Sequence, residues 1–284
     1  MRIANVAGRV TLLGPGGAGL DVEKASSGAF PADPQALFEQ WDEFREWAES
    51  RQDDADTEID PAKLCAPTPF PRQVFAIGLN YADHVGESGL GTPATLPVFT
   101  KFPTSITGPN ATVTLPCATV DWEVELVVAI GRRAYEVPEG DAWGHVAGLM
   151  VGQDLSERVL QLAGPAPQFS LGKSYPGFSP LGPSLVTVDA VPDPDDLELG
   201  CAMDGEVLQL GRTRDMIFGV PELIAMLSAV CPLLPGDIIF TGTPSGVGGT
   251  RNPRRFLLPG SELVSHAEGV GELRNGLVAG PNYR

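Results

Sequence analysis

The chain has 284 residues, 43% of them hydrophobic, and its 36 acidic and 19 basic side chains give a formal charge of −17. So acidic a composition lacks the basic surface that nucleic acid or an anionic membrane demands, and no run approaches the roughly 18 apolar residues of a membrane span. The cysteines, Cys65, Cys117, Cys201 and Cys231, are scattered with no C-x-x-C pair, which fits reduced thiols rather than a disulfide or zinc framework.

The first residues, MRIANVAGRVTLL, lack an apolar core of signal-peptide length and read as mature, cytoplasmic protein. They alternate as a strand, turn through GPGGAG, and return through Leu20 and Val22. Asp33 and Pro34 then open a helix that sets Leu37, Trp41, Phe44 and Ala48 on one face. The stretch from Arg51 to Arg72 is acidic and then rich in proline, so it reads as a connector. The division that follows is a small N-terminal domain and linker over 1–72 and a larger part over 73–284. In that larger part, short apolar runs broken by Gly and Pro predict a β-rich body, rolled or barrelled. One clear helix interrupts it over residues 220–230. No G-x-G-x-x-G stands between a strand and a helix, so no nucleotide cofactor is expected.

Within this body the stretch DWEVEL poses a problem, because Glu123 and Glu125 share one face of a strand that continues as Val127 and Ala129. At about 6.6 Å between their Cα atoms, the two carboxylates can converge on one small cation. Buried without such a cation or a basic group, they would repel each other. An edge strand with a polar outer face is the plainer account of an isolated E-x-E.

Other polar clusters surround this strand in the sequence. In NYADHVGE, a helical turn would place His84 beside Glu87, and a carboxylate so placed fixes the tautomer of an imidazole and raises its basicity. In MVGQDLSERVLQ, Asp154 follows an apolar run, with Arg158 and Gln161 one and two helical turns on; a helix N-cap explains the Asp equally well. In SLGKSYPGFSPLGP, Lys173 is the sole charge, and lysine is scarce in this chain: Lys24, Lys63, Lys101 and Lys173. Such a lysine implies a partner elsewhere in the fold. GDIIFTGTPSGVGG opens from a strand into a Gly-rich loop whose N–H groups, with the Thr243 hydroxyl, can hold a carboxylate. His145 reads as structural and His266 has no motif support. Arg251, Arg254 and Arg255 can reach a second substrate carboxylate, although a solvated loop is the plainer account.

Taken in order, NYADH, FTKFPTSITGP, DWEVEL, GQDLSER, GKSYPGFSPLGP, DMIFGVPELIAMLS and PGDIIFTGTPSGVG resemble the fumarylacetoacetate hydrolase family over roughly residues 73–275. That resemblance implies a mixed α+β fold, a β-roll catalytic domain with a small N-terminal α/β appendage, and a homodimer. It also implies a Mg2+ or Mn2+ ion on Glu123, Glu125 and Asp154, which suits an all-oxygen donor set. The activity implied is hydrolysis of a C–C bond in a 2,4-diketo acid of the acylpyruvate or fumarylpyruvate type, with pyruvate enolate leaving on the metal. Under the resemblance, His84 oriented by Glu87 activates water, Lys173 stabilises developing charge, Gln161 and Thr243 position substrate, and Arg158 braces Asp154. The segment near 81–93 is expected to act as a mobile lid. Oxaloacetate decarboxylation and isomerisation of unsaturated 2-keto acids use the same metal site. A lysine-imine aldolase and a structural Ca2+ protein stand as further alternatives.

Overall fold

The computed structural model describes residues 1–89, 91 and 93–284, so two positions of the expected lid segment, 90 and 92, lie outside the described residues. The principal sheet has eleven strands. Along its main path run Gly19–Asp21, Arg9–Leu13, Arg2–Val6, Ser179–Val186, Val146–Gln153, Val124–Ile130, Ile238–Phe240, Val74–Ile77 and Val98–Thr100. A second sheet of five strands is ordered Glu206–Arg212, Glu198–Met203, Glu262–Ala267, Gly271–Ala279 and Val113–Leu115. No helix among the described residues is long and apolar enough to cross a membrane.

The strand Val124–Ile130 lies near the centre of the larger sheet, between Val146–Gln153 and Ile238–Phe240, and all seven of its residues are buried. Alternation divides its side chains between two apolar layers. Trp122, Val124, Leu126, Val128 and Ile130 enter one core, where they meet residues of the smaller sheet such as Leu199, Leu263 and Leu273. Val127 and Ala129, on the acid face, enter the other core, with Met150, Leu181 and Phe240. The acid face therefore runs into protein, as its sequence indicates.

That second core also takes in Val10, Leu12, Trp41 and Phe44 from the N-terminal segment. Strand Arg2–Val6 pairs antiparallel with Ser179–Val186, so the first strands of the chain extend the principal sheet. Asp33 accepts hydrogen bonds from the N–H groups of Gln35 and Ala36, as its capping role requires. The helix it opens runs first as a 3-10 turn, Ala36–Gln40, and then as the α-helix Trp41–Ala48. The late helix is Val220–Ser228.

Each large apolar side chain in this shared layer contributes about 1.5–3 kcal/mol by leaving water. A fragment beginning at residue 73 would expose Val127, Ala129 and Phe240, and it should aggregate or melt without cooperativity. A soluble 73–284 fragment with a sharp melting transition would show that the layer does not depend on the N-terminal segment.

Candidate metal centre and active site

Glu123 immediately precedes the central strand, Glu125 is its second residue, and Asp154 follows the neighbouring strand Val146–Gln153. The register pairs Val124 with Gln153, and the N–H of Asp154 donates to the carbonyl of Glu123 at 2.9 Å, which joins the two segments at the point where the acids emerge. One oxygen of each carboxylate lies within 4.8 Å of the others, and all three residues are buried. That span is about twice a metal–oxygen distance of roughly 2.0–2.6 Å, so the donor set fits a hard divalent cation.

The electrostatics show what the cluster needs. Burial raises the Glu125 pKa well above the usual carboxylate value, and the charges of Asp154 and Glu123 raise it further. Glu123 behaves oppositely: burial disfavours its charge, but Lys173 and Arg158 more than offset this and hold its pKa well below the usual range. Lys173 donates to Glu123 Oε2 at 2.8 Å, to Asp154 Oδ2 at 2.5 Å and to the Ser156 hydroxyl at 2.8 Å, which commits all three of its protons. The partner expected for this isolated lysine is thus the acid cluster itself.

Arg158 differs from expectation, because it pairs with Glu123 and Asp121 at 2.7 Å each and not with Asp154. Its helix begins directly after Glu157, and that placement aims the guanidinium back along the acid-bearing strand. Asp154 is held instead by Lys101, a residue to which sequence reasoning gave no role. The buried Lys101 amine donates to Asp154 Oδ1 at 2.5 Å, to the carbonyl of Lys173 at 2.5 Å and to the carbonyl of Phe178 at 3.1 Å. Burial lowers its pKa, although Asp154 opposes the shift. Four carboxylates, Asp121, Glu123, Glu125 and Asp154, therefore face three cations, Lys101, Arg158 and Lys173. With all seven ionised the balance is one negative charge, which a divalent ion would turn to one positive and so make attractive to an anionic ligand. The buried Tyr81 hydroxyl has no hydrogen-bond partner among the described residues; burial and then the Glu125 charge raise its pKa and keep it protonated.

His84 and Glu87 lie on the helix Ala82–Ser88, and the spacing of three brings His84 Nδ1 to 2.8 Å from Glu87 Oε1. A carboxylate only accepts, so the shared proton is on Nδ1 and Nε2 is left as the basic nitrogen. Glu87 Oε2 accepts the N–H of Gly246 at 2.9 Å. Burial raises the Glu87 pKa, and the bonds from His84 and Gly246 outweigh it, giving a carboxyl that ionises more readily than usual.

The Gly-rich segment reaches the other acids as well. Gly242 N–H donates to Glu125 Oε2 at 2.7 Å, and Gly248 and Gly249 N–H donate to Asp121 at 2.8 and 2.7 Å. Gly248 can approach so closely only because it lacks a Cβ, which would stand 1.8 Å from the Arg255 carbonyl and 2.8 Å from Asp121. The Thr243 hydroxyl donates to the Val124 carbonyl at 2.8 Å and accepts from Gln209 at 2.9 Å, so it serves the scaffold. Gln161 accepts from Arg158 at 3.0 Å.

A cavity of about 710 Å³ brings these groups together. His84, Glu87, Glu123, Gln161, Lys173 and Thr243 all line it. Glu125 and Asp154 are buried and do not line it. His145 contacts the Arg133 carbonyl and His266 lies 3.8 Å from Glu198; neither borders the cavity.

The family model for the C-terminal region of fumarylacetoacetate hydrolase matches residues 73–278. The mitochondrial oxaloacetate tautomerase FAHD2A of Bos taurus is 44% identical over 215 residues, covering 75% of this chain and 68% of that protein. Among solved structures, a Mycobacterium smegmatis protein given the name HpcE is 56% identical, with a TM-score of 0.92 over 98% of this chain and 99% of that one. A maleylpyruvate hydrolase from Sphingobium, in complex with manganese(II) ion and pyruvate, is 29% identical, with a TM-score of 0.81 over 99% of this chain and 100% of that one. The chain belongs to the fumarylacetoacetate hydrolase family, and its sheet-rich α+β fold matches the structures of that family.

Replacing Lys101 with Met keeps its length but deprives Asp154 Oδ1 and the Lys173 carbonyl of this donor in the interior, while the Phe178 carbonyl keeps the Leu155 N–H. The variant should lose roughly 3–5 kcal/mol in a denaturant melt, the usual cost of breaking a buried ion pair. A loss below about 1 kcal/mol would show that Asp154 does not depend on this amine.

Proposed function

We propose that the chain is a metal-dependent hydrolase that cleaves a C–C bond in a 2,4-diketo acid of the acylpyruvate type. The observation that carries this reading is the opening of the His84–Glu87 pair onto the same cavity as Glu123 and Lys173. A site that only enolises a keto acid has no need of an activated water, whereas C–C hydrolysis does. Support also comes from the maleylpyruvate hydrolase whose structure resembles this one.

Glu123, Glu125 and Asp154 would hold Mg2+ or Mn2+, which when bound supplies Lewis-acid polarisation of the keto acid oxygens. His84 Nε2 takes a proton from water, and the resulting hydroxide adds to the distal carbonyl. The bond between that carbonyl carbon and the methylene of the pyruvate unit then breaks, releasing a carboxylic acid and the enolate of pyruvate. That enolate recovers the proton from His84, so the base is restored and the atoms balance. Glu87, ionised at neutral pH, stabilises the imidazolium formed in between. All three Lys173 donors are committed, to Glu123, Asp154 and Ser156, so its aid to the departing charge requires it to release one of these three partners. Gln161 and Thr243 shape the wall against which the substrate rests.

A second reading has a specific observation in its favour. Oxaloacetate tautomerisation, suggested by the similarity to FAHD2A, needs the acid cluster but no water, as do oxaloacetate decarboxylation and isomerisation of an unsaturated 2-keto acid.

With Mn2+ or Mg2+, the chain should release pyruvate from an acylpyruvate. Chelation should abolish this without unfolding the protein, and Glu123→Ala should not recover it. His84→Ala should slow hydrolysis by about 10²–10⁴-fold, the usual contribution of a general base, and oxaloacetate decarboxylation by far less. Equal losses in both reactions would remove His84 from the role of base and favour the second reading.

A further inference from the structure

Three successive N–H groups in the acid-bearing stretch are taken by side-chain oxygens. Trp122 donates to Asp121 Oδ1 at 2.8 Å, Glu123 to Gln153 Oε1 at 2.9 Å and Val124 to Gln209 Oε1 at 3.0 Å. Here the chain passes from strand Val120–Asp121 into strand Val124–Ile130, and the two glutamines meet it at the junction. Both glutamines are buried, and neither lines the cavity. A backbone N–H must face an acceptor, so the amide oxygens point at this segment and the amide nitrogens away from it.

The far ends of the amides are fixed as well. Gln153 Nε2 donates to the Ser265 hydroxyl at 2.8 Å, and Gln209 Nε2 donates to the Thr243 hydroxyl at 2.9 Å and the Pro244 carbonyl at 2.7 Å. Since Thr243 donates in turn to the Val124 carbonyl, Val124, Gln209 and Thr243 close a ring of hydrogen bonds. Gln153 adds a second clasp, because the N–H of Asp154 beside it goes to the Glu123 carbonyl. Gln209 and Ser265 stand on strands Glu206–Arg212 and Glu262–Ala267, so the smaller sheet braces the acids that the larger one carries.

The N–H and the carbonyl of both Glu123 and Val124 are thus bonded. One oxygen of each acid is held too: Glu123 Oε1 by Arg158, Glu125 Oε2 by the Gly242 N–H and Asp154 Oδ1 by Lys101. Ligands so confined suit an ion with a narrow tolerance in distance. Mg2+ demands near-octahedral oxygens at roughly 2.0–2.1 Å, whereas Ca2+ accepts irregular sets at roughly 2.3–2.6 Å. We propose that Gln153 and Gln209 are positioning residues of the metal centre, whose amides fix the backbone that carries Glu123 and Glu125 and so favour a small divalent ion over Ca2+. This rests on the reading of Glu123, Glu125 and Asp154 as ligands of one ion.

Gln153→Met and Gln209→Met keep the length of the side chain and remove the amide. Mn2+ binding to the full chain is to be followed by calorimetry, with the affinities for Mg2+ and Ca2+ read from their competition against it. The parent should prefer Mg2+. Each Met variant should lose about ten- to hundredfold in Mg2+ affinity, the scale found when a partner behind a metal ligand is removed, and far less in Ca2+ affinity. Leu12→Ala, in the core layer shared with the N-terminal segment, controls for stability alone: it should lower the melting temperature and leave both affinities unchanged. Ser265→Ala frees only the far end of Gln153; it should cause a smaller loss of the same kind, and it decides the matter should the Met variants not fold. A parent without preference for Mg2+, amide variants with unchanged affinities or equal losses of both ions, or the same losses in Leu12→Ala would overturn the proposal. A parent that binds no Mn2+ would sink the reading of the three acids as metal ligands, and this proposal with it.

Discussion

The structure depends on one electrostatic constraint: three carboxylates are buried with oxygens within 4.8 Å of one another, and a fourth lies behind them. Charge in such a place is tolerated only where it is paired and hydrogen-bonded. Each acid accordingly has its own answer. Glu123 has Lys173 and Arg158, Asp154 has Lys101 and Lys173, and Asp121 has Arg158 and two backbone N–H groups. Glu125 has the N–H of Gly242 and the attraction of the more distant Lys173 and Lys101 charges, and burial raises its pKa well above the usual carboxylate value. It is therefore the group with most to gain from a cation in the cluster.

The Gly-rich loop after strand Ile238–Phe240 connects this centre to the candidate base. Its N–H groups meet Glu125 at Gly242, Glu87 at Gly246 and Asp121 at Gly248 and Gly249. One short backbone segment thus sets the positions of a candidate metal-ligand carboxylate, the carboxylate bonded to His84 and the carboxylate that anchors Arg158. Side chains from distant parts of the sequence share a frame because they share these donors.

Much of this was legible in the sequence, for identifiable reasons. Alternation in DWEVELVVAI shows both the acid face and its burial, because Val127 and Ala129 leave no room for solvent. The spacing of three between His84 and Glu87 needs only one turn of helix to become a contact, and the helix Ala82–Ser88 provides it. Lys173 stood out as a lone charge in a rigid stretch. Lys101 carried the same signal, as one of four lysines, set between aromatic residues and a proline in FTKFPT, but an ion pair across 53 positions leaves no local spacing to read. Asp121 shares the alternation of Glu123 and Glu125, yet its partner Arg158 is brought to it only by tertiary packing. For the same reason the brace expected on Asp154 was assigned to the wrong cation. The pairing of Arg2–Val6 with Ser179–Val186 likewise follows from sheet assembly across the length of the chain.

The central claim is that Glu123, Glu125 and Asp154 share one divalent ion. Anomalous diffraction at the manganese edge, from crystals grown with Mn2+ and pyruvate, tests it most directly. The account predicts a single strong peak within coordination distance of all three carboxylates, with pyruvate oxygens completing the shell on the cavity side. A fully loaded crystal with no peak there, and with Lys173 still spanning Glu123 and Asp154, would contradict it.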